Sequence, residues 1–315
     1  MSKDSQPIIR VNSLTKSYGG FHALRGIDFE VQRGEVFGFL GPNGAGKTTA
    51  IRCMLDLIRP SSGSLLVAGH DPQRNPVAVR ARCGYLPGEL RFDENITVSA
   101  ALNFFQQLRG ATAACRRRAA VLSDRLELDT ASRIKNLSKG NKQKIGIVSA
   151  FMHEPELLLL DEPTSGLDPL VQQTVMDLVA EVQHGGATVF FSSHVLSEVQ
   201  AVAGRVAIIR DGSIVEVSDT SALSARGKVE VRVRFTCPVP PEKAQLAELS
   251  GVTLLAFEDD GRLLEFAVSE NMDGLVKWLA AYPVATLETR QCGLEEVFHA
   301  HYPGKEKQVS AILPS

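Results

Sequence analysis

The chain has 315 residues, of which 44% are hydrophobic, and its 34 Lys and Arg nearly balance 36 Asp and Glu to give a formal net charge of -2. This length predicts one large domain plus a smaller one, and the near-neutral charge argues against a dedicated nucleic-acid binder, so no nucleic-acid partner is expected. The five cysteines are widely spaced and form no CxxC pair, which favours neither a disulfide framework nor a zinc site. No run of about 18 apolar residues predicts a membrane span.

The N-terminal elements are predicted as short strands that precede a buried one. Residues 8–32 alternate apolar and polar side chains, which predicts antiparallel strands with turns at Gly19-Gly20 and Arg25-Gly26. The apolar run Val36–Leu40 then predicts a further strand, and the residues from Ala50 onward predict a helix. The segment between that strand and that helix is rich in glycine.

This glycine-rich segment, which we call the phosphate loop, has the pattern GxxxxGKT between a strand and a helix, the context in which backbone amides wrap phosphates. Lys47 is expected to reach the β- and γ-phosphates of a nucleoside triphosphate. The Thr48 hydroxyl is expected to ligate Mg²⁺ beside them. The residues predicted to bind nucleotide here are Gly41, Pro42, Asn43, Gly44, Ala45, Gly46, Lys47, Thr48 and Thr49.

The second chemical motif is a buried strand that ends in two acids. Leu157–Leu160 is an apolar run followed directly by Asp161 and Glu162, an arrangement that is costly unless the acids have a role. We predict that Asp161 holds Mg²⁺ through water, and that Glu162 orients and deprotonates the water that attacks the γ-phosphate. A lysine, a magnesium site and a base on neighbouring strand ends suffice for ATP hydrolysis.

The pattern along the whole chain predicts an α/β fold class. Residues 1–225 are predicted to form a P-loop nucleotide-binding domain with an antiparallel β subdomain and a helical insert at about 88–152. Helices alternate with strands between 157 and 217, which predicts a parallel sheet. Strand-like segments and one helix at 226–303 predict a small accessory α+β C-terminal domain, and 304–315 is predicted to be a loose tail.

With these motifs in place, the chain resembles the nucleotide-binding subunits of ABC transporters over residues 8–220. The segment Leu137–Asn141 (LSKGN), hereafter the signature-like segment, is similar to the LSGGQ signature of that family. The resemblance implies that Ser138, Gly140 and Asn141 bind the γ-phosphate of a nucleotide held by an opposite subunit. Without the resemblance, Ser138 would be interpreted only as the N-cap of the next helix.

The resemblance assigns a role to three further residues. It implies that Tyr18 stacks on adenine, because an aromatic ring face can pack against the base. Asp168 matches the aspartate that communicates between the two sites of the family's dimer. His194, at the end of a core strand, would contact the γ-phosphate and act in catalysis together with Lys47 and Glu162.

The chain departs from the family pattern in two places. The signature-like segment has Lys139 at its third position and Asn141 at its fifth, so binding across a dimer is expected with altered geometry. Gly88 stands where the family usually has a glutamine that ligates Mg²⁺. Glu89, the next residue, is a candidate replacement because a carboxylate also suits Mg²⁺.

The resemblance implies an ATPase, with ATP and Mg²⁺ as its cofactors, that powers export through separate transmembrane permease subunits. It would act as a homodimer, or as a heterodimer with a paralogous ATPase, at the cytoplasmic face of the cell membrane. The segment Gly293–Phe298 resembles one that closes the accessory domain of drug- and lipid-export ATPases. Three alternatives stay open: an ABC importer ATPase, a soluble ABC-type ATPase that acts on ribosomes or DNA, and a non-ABC nucleotide kinase.

Overall fold

The computed structural model divides the chain into two compact units, Met1–Thr220 and Ser221–Ser315. The residues that the structure describes are 6–225, 228–240, 249–269 and 271–292. The segment Gly293–Phe298 and the predicted tail at 304–315 lie outside them. Among the described residues, no helix combines the length and the apolar character needed to cross a bilayer.

The first unit contains nine strands and eight helices in the part of the chain that the structure describes, the last helix extending past the division. The strands are β1 (Ile9–Tyr18), β2 (Phe21–Val31), β3 (Val36–Leu40), β4 (Ser62–Val67), β5 (Cys83–Leu86), β6 (Leu157–Asp161), β7 (Thr188–Ser193), β8 (Arg205–Arg210) and β9 (Ser213–Asp219). The helices are α1 (Lys47–Met54), α2 (Pro76–Arg82), α3 (Val98–Leu108), α4 (Ala113–Arg125), α5 (Lys139–Phe151), α6 (Pro169–His184), α7 (Leu196–Val202) and α8 (Thr220–Ala225).

The core of this unit is a six-stranded sheet in the order β5-β6-β7-β3-β8-β9. All neighbouring pairs are parallel except β8 and β9, which confirms the predicted parallel sheet. Every residue of β3 and β6 is buried, as expected for strands covered on both faces. Since β6, β7 and β3 are neighbours, the loops that follow them meet at one edge of the sheet, where ligands bind in such folds.

A separate antiparallel sheet has the order β2-β1-β4, which confirms the predicted β subdomain. The predicted turn at Gly19-Gly20 joins β1 to β2, but the predicted turn at Arg25-Gly26 is wrong because β2 continues through it. Leu14 pairs with Ile27 and Thr15 with Arg25, so Gly26 is left without a partner. Gly26 has a φ of 89° and therefore forms a β-bulge instead of a turn.

The helical insert is built from α3, α4 and α5, each of which starts at a hydroxyl N-cap. The Oγ1 atoms of Thr97 and Thr112 and the Oγ of Ser138 accept hydrogen bonds from backbone amides one turn into the three helices, which satisfies donors that a helix start leaves free. Gly110 and Ala111 have positive φ values and separate α3 from α4. The insert is thus helical as predicted, with a break between its first two helices.

The second unit contains a four-stranded antiparallel sheet in the order β11-β12-β10-β13. Its elements are β10 (Lys228–Phe235), β11 (Val252–Glu258), β12 (Leu263–Val268), α9 (Met272–Leu279) and β13 (Val284–Cys292). A compact cluster that includes Val233, Phe266 and Leu275 forms its core. The sequence did not predict β13, an edge strand whose Val284 and Leu287 are exposed. The other four elements were expected.

Candidate functional site

The phosphate loop connects β3 to α1 and depends on glycine for its shape. Gly46 has a φ of 112°, and a Cβ at this position would lie 2.7 Å from the carbonyl oxygen of Ala23. Any larger residue would therefore be both strained and too close to the backbone. The amide of Gly41 donates to the carbonyl of Ser193 at 3.2 Å, which ties the start of the loop to the end of β7.

Lys47 is the first residue of α1, and its side chain turns back over the phosphate loop. Its Nζ donates to the carbonyl oxygens of Gly41 at 2.6 Å and Pro42 at 3.1 Å. The same Nζ lies 3.0 Å from Glu162 Oε1 in an ion pair. The lysine is only 5% exposed, so its positive charge is held against the loop and the predicted base.

Thr48 and Asp161 meet in the predicted metal site. Thr48 Oγ1 donates to Asp161 Oδ2 at 2.6 Å, and Ser192 Oγ donates to the other carboxylate oxygen at 2.7 Å. Asp161 and Ser192 are fully buried. The carboxylate is therefore oriented by one hydroxyl from α1 and one from β7, and it presents oxygen atoms, the ligand type that Mg²⁺ prefers.

Glu162 and His194 are also in direct contact. His194 Nδ1 lies 2.6 Å from Glu162 Oε2, with the histidine side chain 47% exposed and the glutamate 17%. Glu162 adopts a left-handed backbone with a φ of 51°, a conformation that is uncommon for a residue with a side chain. Its amide donates to the carbonyl of Ser192 at 3.1 Å, so neighbouring strands fix this turn.

A cavity of about 280 Å³ lies over the phosphate loop. Its lining residues are Tyr18, Phe21, Ala23, Pro42, Asn43, Gly44, Gly46, Lys47, Thr48, Thr49 and Glu162. Tyr18 is 49% exposed, and Lys16 Nζ lies 4.9 Å from the centre of its ring. Gly41 and Ala45 support the loop, while Asp161 and His194 contact the lining through Thr48 and Glu162.

The signature-like segment forms the start of α5 and is not part of this cavity lining. Ser138 is exposed, and its Oγ accepts from the amide of Asn141 at 3.2 Å. Lys139, the first departure, donates to Ser165 Oγ at 3.4 Å. A Cβ on Gly140 would lie 2.6 Å from the carbonyl oxygen of Gly166, so the segment packs tightly against the loop that precedes α6.

Asp168 is exposed and is the N-cap of α6, where its carboxylate accepts from the amide of Val171 at 3.0 Å. Pro169 follows as the first helical residue, which suits its fixed φ. Like Ser138, Asp168 uses its side chain to cap its own helix. The structure therefore separates the predicted residues into a group around the cavity and a group at two exposed helix starts.

Gly88 and Glu89 lie in different surroundings. A Cβ at Gly88 would be 3.2 Å from Asp161 Oδ2, which puts Gly88 beside the predicted metal site. Glu89 is exposed and lines another cavity with Leu90 and Phe92. It is not among the residues that line the cavity over the phosphate loop, so the contacts give no support to Glu89 as a replacement ligand.

Burial raises the pKa of the nearby Tyr85 to about 12, with the charge of Asp161 acting in the same direction. Its phenol therefore stays protonated at neutral pH. Tyr85 lies on β5, next to the strand that ends in Asp161. It lines a different cavity, together with Glu89 and Phe92.

Three polar or aromatic contributors were not identified from the sequence. Phe21 pairs with Tyr18 across the turn between β1 and β2 and lines the cavity. Buried Gln143 donates through Nε2 to the carbonyl oxygens of Glu162 at 3.2 Å and Pro163 at 3.1 Å. Ser192 orients Asp161. The only available signals were an aromatic residue near Tyr18 and polar residues within apolar helix and strand patterns.

This geometry suits phosphoryl transfer. A lysine and a helix start can stabilise phosphate charge, a pair of oxygen ligands fits Mg²⁺, and a glutamate held by a histidine can orient a nucleophile. Such reactions depend mainly on positioning and charge stabilisation. The groups needed on one side of a nucleoside triphosphate are thus gathered around one cavity.

The sequence of this chain is similar to those of known proteins. A family model described as ABC transporter matches residues 24–165. The chain is 35% identical over 313 residues to the daunorubicin resistance ATP-binding protein DrrA3 of Streptomyces coeruleorubidus, covering 96% of this chain and 97% of that protein. It is also 35% identical over 222 residues to the bacitracin transport ATP-binding protein BcrA of Enterococcus faecalis, covering 70% and 72%.

A solved structure agrees with these sequence relationships. A protein described as the ATP binding subunit of an ABC transporter superposes with a TM-score of 0.65 at 29% identity, covering 69% of this chain and 91% of that one. This coverage corresponds in extent to the nucleotide-binding unit. The chain belongs to the family of ABC transporter ATP-binding proteins.

Proposed function

We propose that this chain binds ATP with Mg²⁺, hydrolyses it as one half of a dimer, and thereby powers export through a separate transmembrane permease. The observation that carries the proposal is the convergence of Lys47, Thr48, Asp161, Glu162 and His194 at one cavity. Membership of the ABC ATPase family supports ATP as the nucleotide.

Two residues are proposed to hold the metal ion. Thr48 Oγ1 and Asp161 Oδ2 lie 2.6 Å apart, and their hydroxyl and carboxylate oxygens are hard ligands that fit Mg²⁺. When bound, Mg²⁺ neutralises charge on the phosphates. Ser192 would keep the Asp161 carboxylate in this orientation through its own hydrogen bond.

The reaction is proposed to use Glu162 as the base. Its carboxylate would orient a water molecule and accept a proton from it as the water attacks the γ-phosphorus. Lys47 would bind the β- and γ-phosphates, and His194 would hold Glu162 while contacting the γ-phosphate. The contacts of 3.0 Å and 2.6 Å from Glu162 to these two residues support a shared task.

The second half of the site is proposed to come from another protomer. Ser138, Gly140, Asn141 and Asp168 do not line the cavity over the phosphate loop, and Ser138 and Asp168 are exposed. In a head-to-tail dimer these residues would complete the opposite protomer's nucleotide site. The helix start at Ser138 offers amides and a hydroxyl suited to a phosphate group. Either a second copy or a paralogue could serve as the partner.

Export is the transport direction that the relatives support. They are named for daunorubicin resistance and for bacitracin transport. We therefore propose a peripheral position at the cytoplasmic face of the cell membrane, on a permease that determines the cargo. Residues 1–225 would be the nucleotide-binding domain and 226–303 an accessory domain.

The first test is Lys47→Ala. Removal of a preorganised charge should lower ATP hydrolysis by about 10²- to 10³-fold and weaken ATP binding, whereas Arg117→Ala, at an exposed position of α4, should change neither. Unchanged binding and turnover in Lys47→Ala would refute the phosphate-loop role.

The transport role is tested by co-purification. The chain should be recovered from cells with a membrane protein, and recovery with ribosomes instead would contradict the export role.

A further inference from the structure

Glu198, on α7, joins the two chain segments that carry Glu162 and His194. Its Oε1 accepts a hydrogen bond from Thr164 Oγ1 at 2.6 Å, and its Oε2 accepts one from Ser193 Oγ at 2.6 Å. Thr164 is 3% exposed and Ser193 is fully buried. Each hydroxyl therefore meets a different oxygen of one carboxylate, which links the turn after β6 to the end of β7.

Both hydrogen bonds, at 2.6 Å, have a normal length for a hydroxyl donor and an oxygen acceptor. Ser193 Oγ also accepts from the amide of Val195 at 2.9 Å, so its own proton is directed to Glu198. His194 lies between these two residues. The backbone on both sides of the histidine is thus held by one chain of hydrogen bonds that ends at Glu198.

Glu162 needs such restraint more than an ordinary residue does. Its φ of 51° is uncommon for a residue with a side chain and persists where the surroundings fix it. Thr164, two residues later, is held by Glu198. The 2.6 Å contact between Glu162 and His194 therefore connects the same two segments that Glu198 joins through Thr164 and Ser193.

We propose that Glu198 is a positioning residue for ATP hydrolysis, which keeps the Glu162 carboxylate and the His194 ring in their catalytic arrangement. The inference rests on the proposed function, because it assumes that Glu162 acts as the base. Glu198 does not line the nucleotide cavity and acts through Thr164 and Ser193. Its loss should therefore lower the rate of the chemical step while ATP binding is retained.

A simpler role would be favourable charge in the first turn of α7, since an acid there interacts well with the helix dipole. Any acid at the helix start would provide that. It would not require two buried hydroxyls from other segments to converge on the carboxylate, as Thr164 and Ser193 do. The two roles predict different results for a variant of Glu198. Loss of a helix-dipole interaction would lower stability alone, whereas loss of a positioning contact would lower turnover per folded molecule.

The test measures kcat, the Kd for ATP and the unfolding midpoint of full-length variants. Glu198→Ala should lower kcat by about 10- to 100-fold, since small displacements of catalytic groups have effects of this order, and should change the Kd by less than about twofold. Glu198→Gln, which keeps the shape and one acceptor oxygen, should restore much of the rate. Thr164→Val and Ser193→Ala should each lower kcat.

The same variants test whether the three residues act together. Adding Glu198→Ala to the Thr164→Val, Ser193→Ala double variant should produce little further loss, because contacting residues give non-additive effects. Independent losses that multiply would overturn the proposal. If Glu198→Ala fails to fold, the Gln variant and the two hydroxyl variants still decide the question.

Two variants on the same helix serve as controls. Val199→Ala removes buried volume, so it should lower the unfolding midpoint but leave kcat unchanged well below that midpoint. Gln200→Ala, at an exposed position, should change neither. Wild-type kcat in Glu198→Ala, or equal losses of turnover and ATP binding, would overturn this inference alone. Wild-type turnover in Glu162→Gln would instead overturn the assigned base and with it the proposed function.

Discussion

The proposed nucleotide site has two halves that differ in how their polar groups are used. In the first half, around the phosphate loop, the functional side chains bind one another: Thr48 binds Asp161, and Glu162 binds both Lys47 and His194. In the second half, at the starts of α5 and α6, the side chains of Ser138 and Asp168 accept from amides of their own helices. The first half is therefore already assembled within one chain, whereas the second half presents helix ends outward.

Burial differs in the same way and determines what a substitution should do. Asp161 and Ser192 are fully buried, so removal of one partner leaves a polar group unpaired in the interior, which is costly. Ser138 and Asp168 are exposed, and water can replace their lost contacts. Variants of the first half should affect folding as well as turnover, and variants of the second half should affect turnover through the proposed dimer.

The largest effect should come from the base of the first half. Glu162→Gln should lower ATP hydrolysis by about 10²- to 10⁴-fold, the usual contribution of a general base. ATP binding should persist because Lys47 and Thr48 are intact, and the ATP-bound protein should accumulate as a dimer on size exclusion. Glu154→Gln, at another glutamate with positive φ, is the control and should hydrolyse normally. A strictly monomeric ATP-bound Glu162→Gln protein would contradict the shared site.

The next effect should come from the second half and should spare its fold. Ser138→Asp keeps a good N-cap but brings negative charge to the face proposed to bind a γ-phosphate, so hydrolysis should fall by at least about tenfold through like-charge repulsion. The Kd for ATP and the unfolding midpoint should stay unchanged. Thr112→Asp, the same replacement at the N-cap of α4, should hydrolyse normally.

A mixture tests whether the two halves come from different chains. Ser138→Asp and Lys47→Ala are each expected to hydrolyse ATP slowly, but a mixed dimer would contain one intact site made from the unaltered halves. Turnover of the mixture should therefore exceed that of either variant alone. If the mixture stays as slow as the variants alone while ATP-dependent mixed dimers are demonstrated, the two halves do not form a composite site.

Only part of the arrangement around the phosphate loop could be predicted from the sequence. The phosphate loop, Asp161 and Glu162 were predictable because their spacing between a strand and a helix already implies their positions. Gln143 and Glu198 were not, because their partners Glu162, Thr164 and Ser193 come from other elements. Such contacts exist only once the sheet order has brought the strand ends together.

In the fold, elements with a long or strong hydrophobic pattern could be predicted from the sequence, and elements with a weak pattern could not. β3 and the first four residues of β6 are entirely apolar, and this pattern favours strands at the centre of a sheet. β13 is an edge strand with exposed side chains, so it carries little hydrophobic pattern. Gly26 has the residue type of a turn, but pairing with β1 converts it into a bulge.

A partly buried histidine outside both halves provides a reference for effects on stability. Burial, aided by the charge of Arg109, lowers the pKa of His153 from 6.5 to about 4. Between these values the unfolded chain binds the proton more readily, so stability is full above pH 6.5 and falls as the pH falls toward 4. The loss should be about 1–2 kcal/mol, below the full linkage value because the ring is only partly buried.

His153→Gln should flatten this part of the pH profile, measured by chemical unfolding. His184→Gln, at an exposed position on α6, is the matched control and should leave the slope unchanged. Neither change should alter ATP turnover at neutral pH, which separates a stability effect from one in the first half. An unchanged slope in His153→Gln would show that this residue does not govern the acid sensitivity.

The smallest predicted effect concerns the family glutamine that is replaced by Gly88. A Cβ at Gly88 would be 3.2 Å from Asp161 Oδ2. This distance is short enough to require a small shift of the neighbouring atoms, and it places the new side chain beside the proposed metal site. Gly88→Gln would add an amide oxygen, a ligand that suits Mg²⁺. The Mg²⁺ concentration for half-maximal hydrolysis should therefore fall by about two- to fivefold, less than the roughly 10- to 100-fold effect typical of contacts around a metal site, because the new side chain must displace its neighbours.

Two further variants decide how this result is interpreted. Gly88→Ala adds the Cβ without a ligand, so a change there would assign the effect to crowding of Asp161. Glu89→Ala tests the alternative that the neighbouring carboxylate already serves the metal; because Glu89 lines a different cavity, its removal should leave the Mg²⁺ requirement unchanged. A higher requirement in Glu89→Ala, with no response to Gly88→Gln, would mean that the first half recruits its missing ligand by moving the loop. An unchanged requirement in all three would mean that Thr48 and Asp161 are sufficient protein ligands.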